Sequence, residues 1–196
     1  MSFVKNSAYL AIANFFQLLS AYVLNVWVGR FLGPADFGRY VIILSIFGVM
    51  NVFLTGGSSQ AIAKVVAEDK RSAAPVTAQL LKWGVPALVL LAAIYYFVIS
   101  VLISSLLHDN ELLFHIRLLT PIIPLFGIGA IYAGNFIGRE QFGLQTIKLI
   151  LVSIGKMALT VILTLYFLVS GAIAALSLTG FIGIIFSLFF IRANPT

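Results

Sequence analysis

The stretch Val28-Gly-Arg-Phe-Leu-Gly-Pro-Ala-Asp-Phe-Gly-Arg-Tyr40 decides how this chain is read. It is a short charged turn between two apolar arms, about Tyr9 to Val28 and about Tyr40 to Gly57, each long enough to cross a bilayer. Gly33 permits backbone angles closed to other residues, and Pro34 suits the first turn of a new helix. Asp36 then falls where a carboxylate meets free N–H groups and the positive end of the helix dipole. Arg30 and Arg39 flank it. Gly33, Pro34, Asp36, Gly38 and Arg39 are therefore expected to form a structural hinge that fixes how two membrane helices splay.

The arms are typical of the whole. Of 196 residues 61% are hydrophobic and 9% charged, and mean hydropathy is +1.10. A soluble domain carries roughly 25% charged residues, and no core of this size could hide so much apolar surface. Lipid must be the solvent for most of the chain. The net charge of +6 sits at the ends of apolar runs, where Lys and Arg set membrane topology, so no nucleic-acid partner is expected. The absence of cysteine excludes disulfides and thiolate metal sites. Lys5 followed by an apolar run resembles a signal peptide. The run is longer than a usual h-region and is interrupted by Asn14 and Gln17, so a retained first helix is expected.

About six transmembrane helices are predicted, near 9–28, 40–57, 85–106, 118–137, 147–168 and 172–191. The runs are continuous rather than alternating with period two, which argues for an all-α bundle and against a barrel. The longest polar connection is Ser58–Trp83. Its first part, Gln60–Glu68, has helical periodicity and should prolong the second helix; Asp69-Lys70-Arg71 marks a turn and Pro75 can start the next helix. Leu107–Arg117 carries His108, Asp109, Glu111 and His115; Gly138–Lys148 carries Arg139, Glu140 and Lys148; the last connection is short, around Ser170-Gly171. With a cytoplasmic N-terminus, that side receives Lys5, Lys64, Lys70, Arg71, Lys82, Arg139, Lys148 and Arg192, against Arg30, Arg39 and Arg117 opposite. The bias supports N-in and C-in.

Polar residues inside the spans form stripes at helical spacing: Asn14, Gln17, Ala21 and Asn25; Ser45, Gly48, Asn51, Thr55 and Ser59; Ser153, Lys156, Thr160 and Thr164. One reading is dry helix contact, with hydroxyls and amides bonding across interfaces for about 0.6 kcal/mol each. The other is a hydrated internal face, which three stripes in one bundle favour. Pro121, Pro124, Gly127 and Asn135 suggest that the fourth span is bent or loosely packed. The charge of Lys156 would cost about 2.5–3.5 kcal/mol near a helix centre. It either snorkels to the cytoplasmic face or lines an aqueous cavity that attracts an anion. His108 and His115 read as part of a solvated loop, so no metal is expected. No span contains a histidine to serve Ser58 or Ser59 as a base, and no paired acids occur there, so neither an enzyme nor a cofactor is expected.

Arg30-Phe-Leu-Gly-Pro-Ala-Asp-Phe-Gly-Arg-Tyr40 closely resembles the R-x-L-G-P-x-x-F-G-x-Y signature of polysaccharide-biosynthesis flippases. These are the O-antigen and teichoic-acid exporters of the multidrug/oligosaccharidyl-lipid/polysaccharide superfamily. Weaker likenesses are Gly56-Gly57 followed by Gln60-Ala-Ile-Ala-Lys64, Asn135–Phe142, and Ser170-Gly-Ala-Ile-Ala-Ala175. The resemblance implies a MATE-like, multi-pass transporter of a bacterial or archaeal plasma membrane. Its cargo would be an undecaprenyl-pyrophosphate-linked oligosaccharide, as in lipopolysaccharide synthesis, moved by alternating access. Family members have about twelve to fourteen helices in two lobes around a cationic cavity. This chain matches the first lobe, so its expected partners are membrane lipid, the lipid-linked oligosaccharide, and a second lobe or a second copy.

On that reading Arg30, Arg117 and Lys156 are the candidates to meet pyrophosphate, for which the arginine fork supplies two parallel bonds. Asn14, Gln17, Asn25, Asn51, Thr55 and Thr160 would line the cavity and bond sugar hydroxyls. Two other readings compete: a multidrug or metabolite antiporter of the same superfamily, which should use a membrane carboxylate for coupling, and a non-transporting scaffold whose stripes are dry.

Overall fold

The computed structural model describes residues 2–69 and 73–193, with side chains described over 9–69, 73–109 and 111–190. Of the cations used to orient the chain, Lys70 and Arg71 lie outside the described residues, as do the side chains of Lys5 and Arg192. The described elements are all helical: α1 Ser2–Asn51, α2 Gly57–Glu68, α3 Ala73–Ile94, α4 Ser100–Leu107, α5 Asn110–Leu118, α6 Ile122–Gly138 and α7 Phe142–Ala193. Wider π-helical turns at Val52–Gly56 and Tyr95–Ile99 join α1 to α2 and α3 to α4. The chain is an all-α membrane protein.

Four helical stretches are long and apolar enough to cross a membrane: Tyr9–Glu68, Ala73–Leu107, Glu111–Gly138 and Phe142–Phe190. The count differs from the expected six because the two short turns foreseen, near Gly33 and Ser170, are each reduced to a single non-helical residue within a longer helical stretch. A stretch of 60 residues would be about 90 Å long if straight, some three times a hydrocarbon core of roughly 30 Å. The first stretch breaks at Gly33, with φ 76° and ψ 174°, and the last at Leu168, with φ 52° and ψ −131°. Around Gly33 the helix runs on through Leu32 and resumes at Pro34, so most of the foreseen charged turn is helical.

Close approaches show what each break does. A Cβ on Gly29 would lie 3.2 Å from the Phe37 ring, although their backbones would stand about 12 Å apart on a straight helix. The chain therefore bends sharply at Gly33. In α7, Gly155 meets Ile182 and Gly183 meets Val152, pairs that a straight helix would hold about 40 Å or more apart. α7 is thus two antiparallel segments folded back at Leu168, two residues earlier than the predicted connection at Ser170. The predicted loop Leu107–Arg117 is mostly α5, capped by Asp109, whose Oδ1 accepts from the backbone N–H groups of Glu111 and Leu112.

The apolar core lies in two parts. The larger joins Val28, Tyr40 and Ile43 of α1 to Tyr95, to Leu112 and Ile116 of α5, and to Ile173 and Leu176 of α7. The smaller, toward Asp69, joins Ile62 and Val66 of α2 to Ala73 and Ile131. α6 links them and corrects the expectation of loose packing. Pro124 falls in its first turn, where a missing N–H costs little. Gly134 and Gly138 sit so close to α2 that an added Cβ would come within 2.7 Å of the Ser59 carbonyl and 2.8 Å of the Ala63 carbonyl. This is the small-residue contact that lets membrane helices approach backbone to backbone.

Candidate functional site

The first segment of α7, residues 142–167, is built inside out. Its buried residues are Gln145, Thr146, Lys148, Ser153, Thr160 and Thr164, and every one is polar. Ile147, Leu151, Ile154, Ile162 and Leu165 are exposed. Lipid permits this arrangement: apolar side chains lose nothing by facing hydrocarbon, and polar ones gain by turning away from it. Neither apolar cluster contains a residue of this segment.

The seam so formed is short of hydrogen-bond partners. The hydroxyls of Thr146, Thr160 and Thr164 and the Gln145 amide oxygen are buried without one, while the Ser153 hydroxyl donates to the Leu149 carbonyl. Each buried polar group left unpaired costs about 1–3 kcal/mol, so water or a polar ligand would be held here. Two cations belong to the same segment. Lys148, which sequence reasoning counted as a loop charge, is buried with its Nζ 5.5 Å from the centre of the Phe136 ring. Lys156 is half-buried. Neither forms a salt bridge among the described residues, whereas Arg39 pairs with Asp36, Asp109 and Glu111. The six acids, Asp36, Glu68, Asp69, Asp109, Glu111 and Glu140, all lie at or next to helix ends and turns rather than in this seam.

The other predicted residues are spread over the bundle. Arg30 is exposed, one turn before Gly33. Arg117 lies on α5 with its guanidinium 4.8 Å over the Tyr96 ring. It lines a cavity of about 370 Å³ with Tyr96, Leu113, Phe114 and Leu118, which Arg30 and Lys156 do not line. The three cations therefore do not converge on this cavity. Asn14, Gln17 and Asn25 are exposed on α1, whereas Asn51 and Thr55 are half-buried at the π-turn.

Within the stripes, hydroxyls bond their own helices rather than crossing interfaces. Ser45 donates to the Val41 carbonyl, Thr55 to Asn51 and Ser59 to Thr55, at 2.7–3.0 Å. Bonds between elements come from residues that the stripes did not include: the Asn135 amide to Thr77 Oγ1 at 2.7 Å, Tyr95 to the Ile116 carbonyl, and Ser177 to the Leu118 carbonyl.

The hinge residues divide sharply. Gly33 alone leaves the helix, and a Cβ on Gly38 would meet nothing within 4 Å. Arg39 is the ionic centre, with Nη2 2.7 Å from Glu111, Nε 3.5 Å from Asp109 and Nη1 3.5 Å from Asp36. It ties the start of the second segment of α1 to the α4–α5 turn. The N-cap pattern Asp109-Asn-Glu-Leu was the sequence signal for that turn. His115 sits beside it, with Nδ1 3.0 Å from the Glu111 carbonyl and Nε2 3.2 Å from Ser170 Oγ on α7. The breaks at Gly33 and Leu168 and the α4–α5 turn thus gather at one end of the bundle.

The model of a family described as polysaccharide biosynthesis protein matches residues 3–194. The chain belongs to this family. It is 24% identical over 176 residues to stage V sporulation protein B of Bacillus subtilis strain 168, covering 87% of this chain and 34% of the relative. It is 27% identical over 200 residues to an uncharacterized membrane protein, MJ1375, of Methanocaldococcus jannaschii, covering 97% of this chain and 46% of the relative. The chain thus spans less than half the length of either curated relative. No solved structure matches it.

Proposed function

We propose that this chain acts as one lobe of a transporter that passes a lipid-linked oligosaccharide across the plasma membrane of a bacterium or archaeon. The observation that carries this reading is the inside-out segment of α7. A helix whose exposed side chains are aliphatic or aromatic, with Tyr166 the only one bearing a polar group, and whose six buried ones are polar, lines a polar path rather than a core. Family membership supports polysaccharide as the cargo class. An undecaprenyl diphosphate carrier is the finer proposal, since a diphosphate and its sugar need a wet cationic groove while the lipid tail stays outside. Lys156 would meet the diphosphate within the bundle and Arg30 at the Gly33 end; Arg117, in a groove that neither of them lines, is left out of the cargo path. Asn51, Thr55 and Thr160 would bond sugar hydroxyls, and Asn14, Gln17 and Asn25 would do so from a face that a second lobe or second copy completes. The N-terminus is proposed to be cytoplasmic. No carboxylate lies in the seam, which tells against an antiporter coupled through this segment.

The test is glycan display at the cell surface. Lys156→Gln and Arg30→Gln, made separately in the complete gene product, are expected to abolish display while protein levels hold. Normal display in both variants would remove these assignments, and dry scaffolding would become the better reading.

A further inference from the structure

The groove at Arg117 stands apart from the seam, and its chemistry points to a different occupant. α5 turns Leu112 and Ile116 into the core. That leaves Leu113, Phe114, Arg117 and Leu118 to form one wall of the groove, with Tyr96 facing them. The guanidinium stacks on the Tyr96 ring at 4.8 Å, a geometry that occupies its face and leaves edge N–H groups free to donate. Its Nε is buried without a hydrogen-bond partner among the described residues, and no carboxylate reaches the guanidinium there, whereas Arg39 has three. A cation this poorly answered calls for an external anion.

The rest of the groove says what kind. Phenol and guanidinium are its only polar side chains, too few to bond the hydroxyls of an oligosaccharide. Phe114 is 62% exposed and the neighbouring Phe97 70%, so the surface is one that hydrocarbon would cover. Arg117 lies eight residues from the Asp109 cap, about 12 Å along the helix from the Gly33 end. From there an arginine side chain can reach the headgroup layer, and tyrosine favours that depth. We propose that this groove binds the phosphate of an anionic phospholipid from the leaflet at the Gly33 end, with an acyl chain along Leu113, Phe114 and Leu118. The site does not depend on what the seam carries.

The test uses protein released from nanodiscs of mixed phosphatidylglycerol and phosphatidylcholine, with retained lipid read by native mass spectrometry. The wild type is expected to keep phosphatidylglycerol selectively. Arg117→Gln should lower that occupancy roughly tenfold, as loss of a charge-assisted contact predicts, and Arg117→Lys should restore part of it. Leu113→Trp, which fills the groove and leaves the cation in place, should also expel the lipid, and it decides the matter should Arg117→Gln fold poorly. Undiminished phosphatidylglycerol in Leu113→Trp, or retention of phosphatidylcholine equal to that of phosphatidylglycerol, would overturn the proposal. Displacement by a polyprenyl diphosphate at matched concentration would also overturn it, by making the groove a cargo site.

Discussion

Gly33 carries the bend of α1 alone, in a region of backbone space essentially restricted to glycine. Gly33→Ala is therefore expected to cost of order 1–3 kcal/mol, seen as a lower midpoint of thermal unfolding in detergent. Gly38→Ala is its control. That position is helical with open space around it, so alanine there should be neutral or stabilising by up to about 1 kcal/mol. Equal losses at both positions would show that the hinge is distributed, as the sequence suggested, and not confined to Gly33. Arg39 acts differently, by linking segments. Its guanidinium is about one-third exposed and its nearest partner Glu111 is 70% exposed, so solvent screens the pair. A double-mutant cycle of Arg39→Gln and Glu111→Gln should give a coupling of about 0.5–1 kcal/mol, shrinking as salt is added. A coupling that salt leaves unchanged would mean that the contact is not chiefly ionic.

The contact of α6 with α2 makes a sharper demand on sequence. Gly134 faces the Ser59 carbonyl and Gly138 the Ala63 carbonyl, and backbone cannot yield as a side-chain tip can. Gly134→Leu should destabilise by about 1–3 kcal/mol or more and part α2 from α6, whereas Gly143→Leu, with open space around it, should not. A double-cysteine pair at Ile62 and Ile131, which share the smaller core, crosslinked with and without Gly134→Leu, would report the separation. The apolar runs, the first motif and the helical extension through Glu68 were legible in the sequence, because hydropathy and turn chemistry are local. The reversal between the last two spans was legible through Ser170-Gly171, but the residue that makes it, Leu168, was not, since it is neither glycine nor proline. The glycines of α6 were misread for a related reason. A glycine that loosens a helix and one that admits a neighbour look alike until the neighbour is placed. Lys148 likewise read as a loop charge because the α6–α7 turn proved shorter than composition suggested.

Taken whole, the bundle has two apolar cores and, on the first segment of α7, a polar face that belongs to neither. Exposure alone does not tell lipid from water on such a molecule. Ile162 and Asn25 are both exposed, yet hydrocarbon suits only the first. The transport reading assigns water to Asn25 and Lys156 and lipid to Leu151 and Ile162, while Thr160, fully buried in this conformation, would be reached only when the seam opens to cargo. These 196 residues contain no cysteine, so single replacements within them can be labelled without other changes to this stretch. A membrane-impermeant maleimide reacts with thiolate, which forms in water and not in hydrocarbon. Cysteines at positions 25 and 156 are expected to react on the order of tenfold faster than those at 151, 160 and 162. Cargo or a close analogue should then protect position 156 more than position 25, because the former lies inside the bundle. If none of the five reacts while a cysteine replacing the exposed Glu68 does, the stripes are dry contacts between helices, and a scaffold is the better account of the molecule.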